Sequence, residues 1–379
     1  MFFRLRQGVP LRYRKRVDGN PELVGEIWRE IAAHGGRITF ERFMELALYH
    51  PRYGYYAKGR AAIGKAGDYF TSVSVGPLFG KLLAKQFLDF REELGNPPAF
   101  EVVEFGGHRG QLREDVLAVA PDLRYRIIEA GDPLPDSIIG CVFSNEFLDA
   151  LPVHVVQVKS GTWQEVYVTL PEIVGQAARL PSSPRRQAER SPYKGFVEKL
   201  GPLSTPRLAE YLRDLPAQHM EGYRTEVNLR ALDWLADVAQ RLKRGWIVTI
   251  DYGYERHEYF APHHRDGTLL CYHHHTKSAN PYANIGEQDI TAHVEFTSLI
   301  EHGRTLGLEP VVFTDQSHYL LQIGESEISE IVERTAGQPS KERAAIHQLI
   351  HPEMMGRAFK VLVQKKASRH QASFGGRAS

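Results

Sequence analysis

The spacing of apolar residues changes near residue 100. Before that point apolar residues recur at intervals of three and four, and we predict two amphipathic helices between residues 21 and 50. Gly35 and Gly36 separate these helices, and Thr39 is placed to cap the second one. Pro77 opens a third helix after a loop rich in glycine and tyrosine. The N-terminal region is therefore predicted to be helical.

After residue 100, short apolar runs alternate with helical segments, which indicates βαβ units and a mainly parallel sheet. The predicted strands of this sheet are Phe100–Phe105, Tyr125–Glu129, Cys141–Glu146 and Trp246–Asp251. An amphipathic helix follows Asn228 as its cap, and Gly245 is expected just beyond its C-terminal end. Near the C-terminus we predict strands at Pro310–Thr314, Tyr319–Ile323 and Phe359–Gln364.

Two segments differ from this alternation. Val153–Val158 and Trp163–Leu170 are predicted to form a hairpin around residues 159–161. Residues 171–207 are enriched in Pro, Ser, Arg and Gln, which indicates an inserted, partly mobile segment. We expect a basic tail (1–20), a helical region with a covering loop (21–98), two core halves (99–170 and 226–365), an insert (171–225) and a polar, disordered tail (366–379).

The composition is typical of an ordinary globular protein and does not indicate a particular function. The chain has 379 residues, 42% apolar and 25% charged, as ordinary globular proteins have. Its net charge of +1 gives no overall attraction to nucleic acid or anionic membranes. Two cysteines exclude a disulfide framework, and no apolar run is long enough for a membrane span. The Arg-rich first 17 residues favour a disordered tail or a misplaced start over an organellar transit segment.

The first candidate site is a glycine-rich turn. Glu104 ends a predicted strand, residues 106–110 read Gly-Gly-His-Arg-Gly, and a predicted helix follows. Such a turn allows close approach of a ligand to the backbone, and the helix N-terminus favours an anionic group. Glu129 ends the next strand, where a carboxylate can accept hydrogen bonds from ribose hydroxyls. The G-x-G-x-x-G dinucleotide pattern is not met, and a purely structural turn is the alternative.

The second candidate site follows the third strand of the predicted sheet. Asn145, Glu146 and Asp149 leave the strand together, and the two acids are one helical turn apart. Paired carboxylates can bind a guanidinium through bidentate hydrogen bonds. The alternative, that Asn145 and Asp149 simply cap a helix, stays open at this point.

Ordered motifs over residues 21 to 365 resemble the MidA-type methyltransferases, a family that includes the arginine methyltransferase of mitochondrial complex I assembly. The motifs are Gly67-Asp68-Tyr69-Phe70-Thr71-Ser72, Pro77-Leu78-Phe79-Gly80, Glu104-Phe105-Gly106, Asn145 to Pro152, Ile250 to Tyr254, Gly267-Thr268-Leu269, Gln288 to Thr297 and Met355 to Val361.

The resemblance implies a class I methyltransferase fold, which is an α/β, Rossmann-like, mostly parallel seven-stranded sheet with a helical N-terminal region and an inserted subdomain. It implies S-adenosyl-L-methionine as cofactor and a protein side chain, arginine, as methyl acceptor. The implied catalytic residues are Glu146, Asp149 and His293. The implied cofactor-binding residues are Asp68, Thr71, Ser72, Glu104, Gly106, Gly107, Gly110, Glu129 and Asn145. A weak or inactive relative that acts as an assembly factor is the alternative.

The sequence departs from the family pattern at three points. His108 stands where the family has the middle glycine of its turn, and the segment after Glu129 is shortened. Val73-Ser74 replaces a Pro-Glu pair that follows the covering loop in many relatives. The first two departures bear directly on cofactor binding.

Other residues and partners are predicted as follows. Asp251 lies at the same edge of the sheet, and its role, like that of His293, is open between substrate contact and structure. The histidine groups at residues 263–264 and 273–275 lack metal-site spacing, so no metal is expected, although the second group is implied to lie near the site. We expect no nucleic acid or membrane partner and leave a homodimer open. A cytoplasmic location is predicted, or the mitochondrial matrix for a eukaryotic chain.

Overall fold

The computed structural model describes residues 19–57, 71–171, 195–213, 215 and 220–366. The predictions for the basic tail up to residue 18, for Asp68, for residues 172–194 of the insert and for the tail after residue 366 fall outside this part of the chain. Within it, no helix is long and apolar enough to cross a membrane.

Ten α-helices are described. They are α1 (Pro21–Ala33), α2 (Phe40–Tyr49), α3 (Leu78–Glu93), α4 (Gln111–Val119), α5 (Pro206–Tyr211), α6 (Leu229–Arg241), α7 (Arg256–Tyr259), α8 (Phe296–Thr305), α9 (Gln316–Arg334) and α10 (Lys341–Ile350). The predicted helices near the N-terminus are confirmed, and Thr39 Oγ1 caps α2 by accepting a hydrogen bond from the Arg42 N–H at 3.1 Å.

Fifteen strands are described. They are β1 (Arg37–Thr39), β2 (Phe100–Phe105), β3 (Arg124–Ile128), β4 (Ile138–Asn145), β5 (His154–Lys159), β6 (Thr162–Thr169), β7 (Val197–Gly201), β8 (Arg224–Val227), β9 (Leu242–Tyr254), β10 (Leu270–His273), β11 (Thr276–Ser278), β12 (Asp289–Thr291), β13 (Val294–Glu295), β14 (Leu308–Asp315) and β15 (Phe359–Lys366).

The chain divides into two compact units. The first comprises Met1–Tyr69, Pro152–Asn228 and Phe260–Ala292. Its larger sheet is antiparallel, with the order β1-β6-β5-β8 and with β7 paired to β6, and a smaller sheet has the order β11-β10-β12. Helices α1 and α2 contribute their apolar faces to a core shared with β5, β6 and β12.

The second unit comprises Phe70–Leu151, Leu229–Tyr259 and His293–Ser379. Its mixed sheet has the order β14-β15-β9-β4-β2-β3, and β13 adds a seventh, two-residue strand beside β9. Strands β3, β2, β4 and β9 are parallel, whereas β15 and β14 are antiparallel. Helices α3, α4, α9 and α10 cover one face and α6 and α8 cover the other. This unit is a three-layer α/β fold.

Two local predictions were wrong. Residues 319–323 lie in α9, because Tyr319, Leu320 and Ile323 bury one face of a helix. Gly245 lies within β9 rather than after a helix, at φ +130° and opposite Gly140 of β4. A Cβ on Gly245 would lie 1.8 Å from the Gly140 carbonyl oxygen, so this glycine allows the two strands to approach.

The boundary expected at residue 170 differs from the division after Leu151. The predicted hairpin around residues 159–161 is present as β5 and β6, but it pairs with β1, β7 and β8 of the first unit. Strand alternation along the sequence does not state which sheet a hairpin joins, because that depends on long-range pairing.

Candidate functional site

Two chain segments leave the sheet of the second unit side by side. In the parallel register, Phe105 of β2 is paired with Ser144 of β4, so the glycine turn and the segment 145–149 begin at the same edge. The two segments lie so close together that a Cβ added to Gly106 would meet the Phe147 ring at 3.1 Å. The carboxyl edge of a parallel sheet is where ligands bind in open α/β folds. We refer to residues 106–110 as the glycine turn and to residues 145–149 as the acidic loop.

The glycine turn relies on left-handed backbone at three positions. Gly106 and Gly110 have φ values of +71° and +75°, and His108 between them has +48°. His108 therefore adopts a conformation that a glycine accepts more readily, in keeping with the family pattern. Gly107 is restricted by space instead, since a Cβ there would lie 2.8 Å from Glu104 Oε2. Gly110 precedes α4, so the first N–H groups of that helix have no side-chain cap.

Glu104 lies beneath the turn rather than on it. Its side chain is buried, and its Oε2 accepts a hydrogen bond from the Tyr125 hydroxyl at 3.0 Å. Burial raises the pKa of Glu104 to about 7, because the charged form loses solvation. The same burial, together with the Glu104 charge, raises the pKa of Tyr125.

Glu129 lies at the end of β3 and reaches the turn. Its carboxylate accepts a hydrogen bond from the backbone N–H of His108, which lowers its pKa, although desolvation raises the pKa by more. Residue Glu129 is exposed, so one side of the carboxylate faces solvent. Residues 129–137, between β3 and β4, contain no helix or strand. The segment after Glu129 is thus short and carries no helix between the two strands.

The acidic loop brings the predicted residues Ser72, Asn145 and Glu146 together. Glu146 Oε1 accepts hydrogen bonds from the Ser72 backbone N–H and from Asn145 Nδ2, both at 3.0 Å. Asn145 Oδ1 is buried and has no hydrogen-bond partner among the described residues. Glu146 has φ +51°, an uncommon conformation for a residue with a side chain. Thr71 is buried beside Ser72 and forms a turn with Ser74, with hydrogen bonds of 2.8 to 3.1 Å.

Asp149 is buried, and the loop is attached to Asp251 of β9. The Oδ2 atom of Asp251 accepts hydrogen bonds from the N–H groups of Phe147, Leu148 and Asp149 at 3.2, 2.9 and 3.3 Å. Its Oδ1 atom accepts one from the Tyr252 N–H at 2.9 Å. Asp251 is fully buried, which raises the pKa of its carboxyl to about 7. The structure therefore gives this residue a definite structural partner, the acidic loop.

His293 lies at the same edge because β13 pairs with the end of β9, Val294 opposite Gly253. Its ring is half-buried and lies 6.1 Å from the Tyr252 ring and 5.2 Å from the Tyr254 ring, between centroids. A Cβ on Gly253 would lie 2.1 Å from the Val294 carbonyl oxygen, so this glycine allows the pairing that positions His293.

The two predicted histidine groups, 263–264 and 273–275, belong to the first unit. His273 ends β10, and His274 and His275 form the turn to β11 with positive φ. Among the described residues there is no group of three or more His, Cys, Asp or Glu side chains that could bind a metal ion.

Comparison with known proteins identifies the family. Residues 123–314, just over half of the chain, match the family described as "Putative S-adenosyl-L-methionine-dependent methyltransferase". The chain belongs to this methyltransferase family. The predicted MidA-type relationship and the predicted cofactor, S-adenosyl-L-methionine, are thereby confirmed.

Individual relatives of this methyltransferase cover nearly its whole length. It is 26% identical to the mitochondrial protein arginine methyltransferase NDUFAF7 of Rattus norvegicus, over 90% of this chain and 84% of that protein. The human protein of the same name is also 26% identical, over 90% and 82%. A crystal structure from Burkholderia thailandensis with bound S-adenosyl-homocysteine is 29% identical, covers 91% of this chain and 92% of that one, and has a TM-score of 0.79. The relatives named mitochondrial lend no support to the predicted cytoplasmic location.

Three residues that support this candidate site were missed or left undecided by sequence reasoning. Gln316 accepts a hydrogen bond from the Ser72 hydroxyl at 3.0 Å and donates one to the Leu349 carbonyl, although no pattern connects residues so far apart. Tyr125 supports Glu104 from a neighbouring strand. Asp251 carried one signal, an acid at the end of an otherwise apolar strand, but that signal does not state what it binds.

Proposed function

We propose that this methyltransferase transfers the methyl group of S-adenosyl-L-methionine to a protein side chain, with an arginine guanidinium as acceptor. One observation carries the proposal, namely that the glycine turn and the acidic loop lie side by side at one sheet edge, with Gly106 close to Phe147. This arrangement brings residues suited to a nucleoside cofactor next to residues suited to a cation. The names of the NDUFAF7 relatives support arginine as the acceptor.

The residues of the edge fit the cofactor. In this proposal Glu129 accepts hydrogen bonds from the ribose hydroxyls, and the uncapped N-terminus of α4 binds the carboxylate of the methionine part. The unpaired Asn145 Oδ1 offers a buried acceptor for an N–H or O–H donor of the cofactor. Gly106, Gly107 and Gly110 let the turn pack closely against Phe147, Glu104 and Ile127, where a Cβ would be crowded. When bound, the cofactor supplies a methyl group activated by its sulfonium.

The segment preceding α3 completes the proposed cofactor site. Thr71 and Ser72 lie beside the acidic loop, and Asp68 of the same motif lies outside the described residues. Ser72 is fully buried, and its hydrogen bonds to Glu146 and Gln316 fix its position. We propose that these residues cover the bound cofactor and exclude water from it.

The acceptor side is assigned to Glu146, Asp149 and His293. Two carboxylates can bind a guanidinium bidentately, orient its nitrogen towards the methyl group and take up its proton. The His293, Tyr252 and Tyr254 rings add aromatic surface at the same edge, on which a planar cation can stack. His108 has the left-handed backbone conformation that a glycine would adopt there, so it keeps the path of the turn.

The test is titration calorimetry with S-adenosyl-L-methionine followed by methylation of a cell extract with labelled cofactor. We expect binding by the wild type and label on protein arginine. Glu146→Gln should bind the cofactor within about threefold of the wild type, yet lose about 100-fold in methylation rate, because orientation of the acceptor is lost. Glu92→Gln, an exposed acid of α3, is the matched control and should keep full activity.

Other outcomes would reject the proposal. Absence of binding at millimolar cofactor would leave the assembly-factor alternative in its place. Label on lysine or on small molecules would retain the methyltransferase and reject arginine as acceptor.

A further inference from the structure

The acidic loop is attached to β9 through four consecutive backbone N–H groups. The Glu146 N–H donates to the Ile250 carbonyl at 2.9 Å, and the next three N–H groups donate to Asp251 Oδ2 at 2.9 to 3.3 Å. Two neighbouring residues of β9 therefore accept a hydrogen bond from the backbone N–H of each of these four loop residues. We propose that Asp251 is a positioning residue that orients Glu146 and Asp149 for methyl transfer, an inference that rests on the function proposed above.

The geometry explains how one side chain can determine the path of the loop. Three successive N–H groups reach a single oxygen only if the backbone curls around it, and the left-handed φ of Glu146 begins that curl. Within the loop, residues 145–149 include no glycine and no proline to impose the curl by themselves. The Asp251 carboxylate therefore determines the backbone conformation of the acidic loop, as glycines do in the neighbouring glycine turn.

Asp251 is unsuited to act on substrate itself. Its side chain has no exposed surface, and both of its oxygens already accept hydrogen bonds, Oδ1 from the Tyr252 N–H and Oδ2 from the loop. A group enclosed in this way acts through the residues it binds. Its effect on the reaction should therefore appear in the placement of Glu146 and Asp149, and not in cofactor binding.

The test compares Asp251→Asn with Thr249→Val. Thr249 is a buried control two residues earlier on β9 and lies outside the glycine turn and the acidic loop. Asn keeps the shape of the side chain but loses the charge and one acceptor. We expect hydrogen exchange at the Phe147, Leu148 and Asp149 amides to become at least about tenfold faster in Asp251→Asn, with β4 amides unchanged. We expect kcat for methylation to fall about 100-fold, while acceptor KM and cofactor Kd change by less than about threefold.

Asp251→Glu keeps the charge and moves it by one methylene, which covers the case in which Asp251→Asn does not fold. This variant should still bind cofactor and should lose about tenfold in kcat, because the loop is displaced. Full kcat in either variant, or equal losses of kcat and cofactor affinity, would overturn the inference. If the wild type binds cofactor but methylates nothing, the proposed function fails, and the exchange rates still decide whether Asp251 orders the loop.

Discussion

The glycine turn and the acidic loop both lie above a buried carboxylate, but the two carboxylates are bound differently. Glu104, beneath the glycine turn, accepts one hydrogen bond from the Tyr125 hydroxyl. Asp251, beneath the acidic loop, accepts four from backbone N–H groups. Burial raises the pKa of each to about 7.

The difference follows from the composition of the two segments. In the glycine turn the backbone conformation comes from Gly106 and Gly110, so the acid below mainly fills space next to Gly107. The acidic loop has no glycine, and its conformation depends on the acceptor that its N–H groups surround. Protonation should therefore be tolerated at Glu104, because a protonated carboxyl still accepts from Tyr125, and should disturb the loop when it occurs at Asp251.

The largest expected effect is on the pH dependence of stability. A folded-state pKa raised from 4.5 to about 7 means that the folded protein binds the Glu104 proton more tightly, so the free energy of unfolding falls between these values as pH rises. Glu104 alone accounts for up to about 3 kcal/mol of that loss. Glu104→Gln should remove the Glu104 contribution to this fall in the free energy of unfolding, while the contribution of Asp251 remains. Urea unfolding at pH 5 and pH 8 measures the fall. If the free energies of unfolding at pH 5 and pH 8 differ by the same amount in Glu104→Gln and the wild type, the raised pKa of Glu104 is contradicted.

The next effect is on cofactor affinity through Gly107. An added Cβ would meet Glu104 Oε2 at 2.8 Å and Ile127 Cγ2 at 2.9 Å, so Gly107→Ala must distort the turn. A strain of about 2 kcal/mol corresponds to a rise of about 30-fold in cofactor Kd, measurable by calorimetry. Gly95→Ala is the control, since its Cβ would enter open space; unlike Gly107, Gly95 has a left-handed φ of +82°, so any cost there comes from the backbone and not from a clash. If Gly107→Ala and the wild type bind the cofactor with equal affinity, the glycine turn does not form part of the cofactor site.

A smaller effect on cofactor affinity is expected at Glu129, which also belongs to the glycine turn side of the site. If its carboxylate binds the ribose, Glu129→Gln should raise cofactor Kd about tenfold, because a charged acceptor is replaced by a neutral one. Asp136→Asn, an exposed acid in the segment before β4, should leave Kd unchanged. A Kd unaffected by Glu129→Gln would show that the hydrogen bond from the His108 N–H is the whole role of this residue.

The smallest effect concerns His108, which has a side chain and a left-handed φ in the glycine turn, as Glu146 has in the acidic loop. His108→Gly relieves strain of about 1 kcal/mol or less. The unfolding equilibrium constant and the cofactor Kd should therefore each change by less than about fivefold. Calorimetry and thermal unfolding of the variant against the wild type measure both. A large gain in affinity would mean that the imidazole obstructs the site.

Much of the second unit could be predicted from the sequence, because its central strands are buried on both faces and are mainly apolar, as residues 138–143 are. The glycine turn and the acidic loop were likewise recognisable, since motifs mark both. Tyr319–Ile323 was assigned to the wrong element, because a short apolar run is compatible with a strand or a helix. The β5–β6 hairpin was recognised, but its sheet was not.

The sequence by itself determined the family, the cofactor and the two segments that meet at the sheet edge, because these depend on local runs of residues that keep their order along the chain. Only the tertiary structure decided what lies beneath those segments. Tyr125 beside Glu104, Gln316 beside Ser72 and Asp251 beneath the acidic loop come from separate parts of the chain. Their partners are set by strand register and helix packing, and no local pattern encodes that register.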